Sequence, residues 1–241
     1  MCSVSWIHHN EGYDLFFNRD EQRSRPMAIP PKIWNWKDGS YLAPQDPQAG
    51  GTWIFTNDQG LSACLLNAYQ LENVASVATP RSRGLLVKDL AECKNIKSLE
   101  KQLNSQVSEA SYAPFYLLAL EKESEPKFWL WYLTKLQELH LPELPFWSTT
   151  SVNPDQVLPY RKQLVKESIS KHGLNCDGLK ALHLSIGIPS TEKTIKMSRN
   201  DAKTVSFTHI QVQSQNTTMH YATMDSEDFS EAVTNQIPLL S

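Results

Sequence analysis

Cys2-Ser3-Val4-Ser5-Trp6-Ile7-His8-His9-Asn10-Glu11-Gly12-Tyr13-Asp14-Leu15-Phe16-Phe17-Asn18-Arg19 is the stretch that decides the fold. Two runs rich in β-branched and aromatic residues, 2–8 and 13–19, flank the turn-forming His9-Asn10-Glu11-Gly12, which is the pattern of a β-hairpin. Neighbouring residues on a strand point to opposite faces, so the unbroken Leu15-Phe16-Phe17 predicts a strand covered on both sides. A turn centred between Asn10 and Glu11 pairs those two and, counting outward, sets Cys2 opposite Arg19. A slip of one or two residues would bring Asn18 or Asp20 there instead.

Further along, Thr52–Thr56 and Leu61–Leu66 form a second hairpin across Asn57-Asp58-Gln59-Gly60, and Phe115–Leu120 with Lys127–Thr134 a third. Lys203–Val212 with Thr217–Thr223 makes the last. Apolar residues at helical spacing mark 85–105, and the clearest helix starts at Asn153-Pro154 and stops at Gly173. A shorter helix is expected over Cys176–Leu184. Residues 26–51 hold five prolines and read as a long irregular excursion, of the kind that shapes a binding site. Residues from about 226 to 241 are a candidate mobile tail. With strands in hairpins and helices grouped between them, the class is α+β, two packed sheets with helices outside. Neither repeat nor linker divides the chain, so 1–241 is expected to be a single domain.

The bulk numbers exclude several classes. The chain has 241 residues, is 40% hydrophobic and 20% charged, and carries a formal charge of −3, without the basic stripe of a nucleic-acid protein. Its longest purely apolar stretches are about six residues, far below the ~20 of a membrane helix, and the N-terminus lacks the pattern of a signal peptide. A cytoplasmic protein is expected, with a small-molecule ligand or substrate, no nucleic acid and no membrane span. Four scattered cysteines suggest neither a disulfide framework nor a zinc site. No cofactor or metal is expected: His8 and His9 point to opposite strand faces, and His172, His183 and His209 have no Asp or Cys at ligand spacing.

Chemistry concentrates at the start of the chain. Removal of Met1 would leave Cys2 with a thiol and a free α-amine on one residue. The amine titrates near ~8 and the thiol near ~8.5, so the amine can serve as base for its own nucleophile. Such a thiol needs a cation beside it and donors for an oxyanion. Arg19 supplies the first, and the Asn67 amide, ending the second hairpin beside Gly50-Gly51, is placed for the second. The plainer alternative is a solvated loop at Asn18-Arg19-Asp20-Glu21, with Arg19 paired to a neighbouring acid. Trp34 and Trp36 either line a pocket mouth or pin their segment to the core. Ser148-Thr149-Thr150-Ser151 either bonds a ligand carbonyl or serves as a turn and N-cap before Pro154.

Asn18-Arg19-Asp20-Glu21, then Ser24-Arg25-Pro26, Ala49-Gly50-Gly51-Thr52-Trp53, Gly60-Leu61 and Leu65-Leu66-Asn67 together resemble the NRDE family, also called the transport and Golgi organisation 2 family. Met1-Cys2, Val4-Ser5-Trp6, Gly12–Phe17 and Met197–Ser206 are similar to its bacterial members. The resemblance implies the fold of N-terminal nucleophile hydrolases, a four-layer αββα sandwich. It implies a catalytic set of Cys2, Arg19, Asp20 and Asn67, with Asp20 as a positioning carboxylate. Asn18, Trp34, Trp36, Thr150 and Arg199 are candidates for substrate contact. Where the related hydrolases carry an acid three residues after the arginine, this chain has Gln22. The activity expected is hydrolysis of a non-peptide amide by Cys2. The alternative is a non-catalytic carrier of a hydrophobic metabolite such as an acyl thioester, a lipid or haem.

Overall fold

In the computed structural model, which describes residues 1–72, 80–185, 188–224 and 232–240, the opening hairpin lies at the heart of a six-stranded antiparallel sheet. Strand β1 (Cys2–His9) pairs with β2 (Gly12–Gln22) across a two-residue turn, and the register sets Cys2 opposite Arg19 and Ile7 opposite Asp14. β2 is buried on both faces as expected. Tyr13, Leu15 and Phe17 point to the middle of the molecule, while Asp14, Phe16, Asn18 and Asp20 point the other way, also buried.

The chain then builds a seven-stranded sheet from β3 (Ile29–Trp36), β4 (Gly39–Gln45), β5 (Ile54–Asn57), β6 (Ser62–Asn67), β7 (Phe115–Glu121), β8 (Ser124–Tyr132) and β9 (Lys135–Glu138), in that spatial order. Thus 26–51 is not irregular: most of it is the hairpin of β3 and β4. Its prolines misled because Pro30 and Pro31 sit at a break in the ladder between Ile29 and Lys32, on an edge strand where a missing N–H costs little. The first sheet is completed by β10 (Phe146–Thr149), β11 (Ala202–Val212), β12 (Asn216–Thr223) and β13 (Val233–Pro238), in the order β10-β1-β2-β11-β12-β13. The expected tail is corrected as well. Within it β13 pairs with β12 and buries Ile237, its polar residues reflecting an edge strand with an exposed face. Residues 225–231 and 241 lie outside the described ones.

The two sheets meet through Val4, Trp6, Leu15 and Phe17 on one side and Ile54, Leu66 and Leu118 on the other. Helices α2 (Arg83–Leu90) and α3 (Ile96–Glu109), after the single turn α1 (Tyr69–Glu72), cover the seven-stranded sheet with Leu86, Leu90, Leu99 and Leu103. The helical pattern expected across 85–105 is interrupted because Asn95 caps α3, accepting from the Ser98 N–H while the Ser98 hydroxyl accepts from the Asn95 N–H. Helices α4 (Pro154–His172) and α5 (Cys176–Leu184) cover the six-stranded sheet, with Pro154 opening α4 and Gly173 ending it. The result is an α+β sandwich of two antiparallel sheets flanked by helices. No helix among the described residues is long and apolar enough to cross a membrane.

Gly51 shows how closely the helix layer approaches the second sheet. A Cβ there would lie 2.3 Å from the Gly84 carbonyl carbon, at the start of α2, where Thr52 N–H donates to Gly84 O at 3.0 Å. Gly51→Ala should therefore lower stability by about 1–3 kcal/mol, as overpacking of a close backbone contact does. The midpoint of urea unfolding checks this, and an unchanged midpoint would show that the contact yields freely.

Candidate active site

Cys2 begins β1 between two neighbours, Arg19 of β2 and Thr149 of β10. Its N–H donates to Thr149 Oγ1 at 3.3 Å and its carbonyl accepts from Ser148 Oγ at 3.3 Å. Ser148 and Thr149 thus belong to a strand pinning β1, not to a turn. With Cys2 on the inner face, its thiol borders a cavity of about 400 Å³ that Arg19, Asp20 and Asn67 also line. Chain positions 2, 19, 20 and 67 converge because the ends of β1, β2 and β6 meet at one edge of the sandwich.

Arg19 is held on three sides. Its guanidinium lies 4.2 Å over the Trp53 ring, donates to Glu21 Oε2 at 3.1 Å and stands 3.7 Å from Asp46 Oδ2. Asp46 in turn accepts from Arg25 at 2.5 Å, and its other oxygen accepts the N–H groups of Gln48 and Ala49. That carboxylate therefore shapes the turn into Gly50, whose φ of +69° a side chain would strain. Asn67 Nδ2 donates to Tyr69 Oη at 2.8 Å. Glu21 is the neighbouring acid that the plainer reading paired with Arg19, and Arg25 belongs to the Ser24-Arg25-Pro26 block, whereas Asp46, inside the proline-rich segment, and Tyr69 were not among the candidates.

Met1 covers the start of the strand. Its ammonium donates to Asp20 O at 3.3 Å, and its side chain packs with Met197, Ala202 and Tyr69. In this form burial pushes the Cys2 thiol up to about 11, and the Asp20 charge adds to that, while the Met1 ammonium and Arg19 oppose it. Thr150 Oγ1 and Arg199 Nη1 both touch the Met1 sulfur, at 3.3 and 3.6 Å.

The Asp20 side chain points away from the thiol, into the layer between the six-stranded sheet and α4. There Oδ1 accepts from Thr204 at 2.7 Å, and Oδ2 lies 3.9 Å from Arg161 Nη1. Burial raises its pKa above the ordinary carboxylate range, with Arg161 opposing. Arg161 is fully buried and donates to Ser148 Oγ at 2.7 Å and Ser3 Oγ at 3.3 Å. It lies inside α4 among lysines that face water, so no sequence signal marks it. Its guanidinium supports β1 and β10 directly behind Cys2.

Thr150 and Arg199 reach the cavity only through Met1, and three further candidates stand apart from it. Asn18 is buried on the helix-facing side, donating to His183 O and Ile195 O, while its Oδ1 meets His183 Nδ1 at 3.1 Å. Burial depresses His183 to a pKa of about 3, so this is a neutral structural network. Trp34 donates to Ala43 O and stacks on Tyr41, which Trp36 also touches, so both pin the β3–β4 hairpin.

The family model described as transport and Golgi organisation 2 matches residues 1–229, and the chain belongs to that family. No protein of curated function matches it in sequence. Among solved structures it is similar to penicillin V acylase from Agrobacterium tumefaciens, with a TM-score of 0.59, 9% identity, and 99% of this chain and 86% of that one covered. A mutant conjugated bile acid hydrolase from Clostridium perfringens gives 0.58, 9%, 99% and 92%. The Caenorhabditis elegans orthologue of N-acylethanolamine-hydrolyzing acid amidase gives 0.58, 12%, 89% and 93%. The shared fold is that of N-terminal nucleophile hydrolases.

The Asp20–Arg161 pair yields two expectations. Arg161→Met should cost ~3–5 kcal/mol by stranding a buried carboxylate, and adding Asp20→Asn should recover part of the loss. Because folding raises the Asp20 pKa, its contribution is full below the ordinary carboxylate range and is lost as pH rises through the raised value. Relative to Asp20→Asn, wild-type stability should fall over that window, as denaturant midpoints at several pH values would show.

Proposed function

We propose that this member of the transport and Golgi organisation 2 family is a cysteine hydrolase of a non-peptide amide, with Cys2 as nucleophile once Met1 is removed. The observation that carries the reading is the direct pairing of Cys2 with Arg19 at a cavity that Asn67 also lines. The fold shared with an acylase, a bile acid hydrolase and an acid amidase supports it. So do the solved forms of the bile acid hydrolase, one a cysteine-to-alanine mutant and one an arginine-to-leucine variant.

Removal of Met1 turns the Cys2 N–H, now bonded to Thr149 Oγ1, into an α-amine. That amine takes the thiol proton, and the sulfur attacks the amide carbonyl carbon. The oxyanion is held by the Asn67 amide and backbone N–H groups, and Arg19 stabilises the thiolate. The protonated amine then gives its proton to the leaving nitrogen as the C–N bond breaks, leaving an acyl thioester on Cys2. Water, deprotonated by the same amine, hydrolyses it and regenerates the thiol. Asp20 acts through its backbone carbonyl, which now holds the Met1 ammonium, and through the strand it anchors on Arg161. Departure of Met1 would remove the sulfur that Thr150 and Arg199 now touch, which supports those two as substrate contacts.

A second reading, a binding protein that keeps Met1, is favoured by one observation: Met1 is buried among Met197, Ala202 and Tyr69. There Cys2 has no free amine, and the cavity would hold an unchanged metabolite.

Intact mass of the natively purified chain separates the two. Loss of Met1, with acyl-amide turnover that Cys2→Ala abolishes, is the expected outcome. Retained Met1 with ligand binding unaffected by Cys2→Ala would overturn the hydrolase. Alkylation gives a further check, since the thiolate is the reactive form. In chain that keeps Met1, Cys2 labelling should climb about tenfold per pH unit toward its pKa of about 11. In processed chain it should be fast near neutrality.

A further inference from the structure

At the far end of β2, about six residues or ~20 Å along the strand from Asp20, four side chains of metal-ligand type converge. Asp14 is buried on the helix-facing side, and its Oδ1 meets His209 Nε2 of β11 at 2.6 Å. Its Oδ2 meets His9 Nε2, at the end of β1, at 3.3 Å. The sulfur of Cys176, the first residue of α5, lies beside the same carboxylate. Ligand atoms of Asp14, Cys176 and His209 all lie within 4.8 Å of one another. One imidazole would satisfy a buried aspartate; two imidazoles and a thiol, from three other elements, exceed what the pair needs.

We propose that His9, Asp14, Cys176 and His209 form a zinc-class divalent metal site that ties α5 to the six-stranded sheet. The donor set, one sulfur, two imidazole nitrogens and one carboxylate oxygen, is the borderline-soft mixture that tetrahedral zinc takes. Bonds of ~2.0–2.3 Å place tetrahedral ligands roughly 3.3–3.8 Å apart, so the 4.8 Å spread of Asp14, Cys176 and His209 closes by about 1 Å on binding, while His9, 3.3 Å from the other Asp14 oxygen, turns in as the fourth ligand. Charge balances in this buried position: a thiolate and a carboxylate neutralise the dication, with both imidazoles neutral. The ion replaces the thiol proton, released to solvent, and the hydrogens through which the two rings now reach Asp14, leaving each ring protonated on Nδ1. His9 is 36% exposed on its side chain and Cys176 is partly exposed, which provides an entry path. The site is separate from the Cys2 cavity and stands whether or not Cys2 is catalytic.

Histidine spacing along the chain excluded such a site, since Asp14 and His209 lie 195 positions apart. The sheet makes them neighbours: His209 pairs with Phe16, one step along β2 on the same face as Asp14.

The test is cobalt and zinc titration of the untagged, chelator-stripped full-length protein. One equivalent of cobalt should give tetrahedral d–d bands with a thiolate charge-transfer band. The charge-transfer band should vanish in Cys176→Ser and persist in Cys2→Ser. In unsubstituted protein, zinc should slow alkylation of Cys176 at least about tenfold, since a metal-bound thiolate is masked, a readout that does not depend on a variant folding. No stoichiometric spectrum, a charge-transfer band unaffected by Cys176→Ser or lost in Cys2→Ser, or alkylation of Cys176 indifferent to zinc would each overturn the assignment.

Discussion

The register of β1 against β2 is the constraint on which the molecule depends. A two-residue turn at Asn10-Glu11 puts Cys2 against Arg19, and the same register decides which side chains of both strands face the second sheet and which face the helices. A shift of one residue would send Leu15 and Phe17 into the helix layer and Asp14, Asn18 and Asp20 between the sheets. Three polar groups would then lie in the apolar middle, so the register that builds the core also delivers the thiol to the cavity.

The helix-facing side of β1 and β2 is where polarity is stored. From one end to the other run Asp14 with His209, Asn18 with His183 and Ser5, and Asp20 with Arg161, Ser148 and Ser3. Each buried group meets a partner contributed by α4, α5, β10 or β11, so these contacts fix how the layers dock. Apolar packing alone would leave the helices free to slide, whereas hydrogen bonds to particular atoms do not. The backbone around Cys2 thus inherits its rigidity from residues that never touch the cavity.

On the other side of the cavity, the arginines do different work. Arg25 and Asp46 hold the turn that presents Gly50 and Gly51, and Gly51 lets α2 approach closely. Arg19, stacked on Trp53 and paired with Glu21, is positioned rather than free, which places its charge beside the thiol instead of in solvent.

The sequence by itself determined the hairpins, the α+β class, the family and the ends of α4, and it narrowed the partner of Cys2 to Arg19 or an immediate neighbour, of which the register selects Arg19. Each rests on local information: alternation, turn residues, capping, and a motif read in order along the chain. It misjudged 26–51 and the chain end, where edge strands tolerate proline and polar residues that read locally as loop. Only the tertiary structure decided which residues of distant segments share a surface. Arg161, Asp46 and the cluster of His9, Asp14, Cys176 and His209 carry no local signature, because their meaning lies in partners up to 195 positions away. Asn18, Trp34 and Trp36 fall on the helix-facing sides of their sheets, away from the Cys2 cavity. Residue type limits the chemistry available at a position, while packing across the sheet sets which groups meet to perform it.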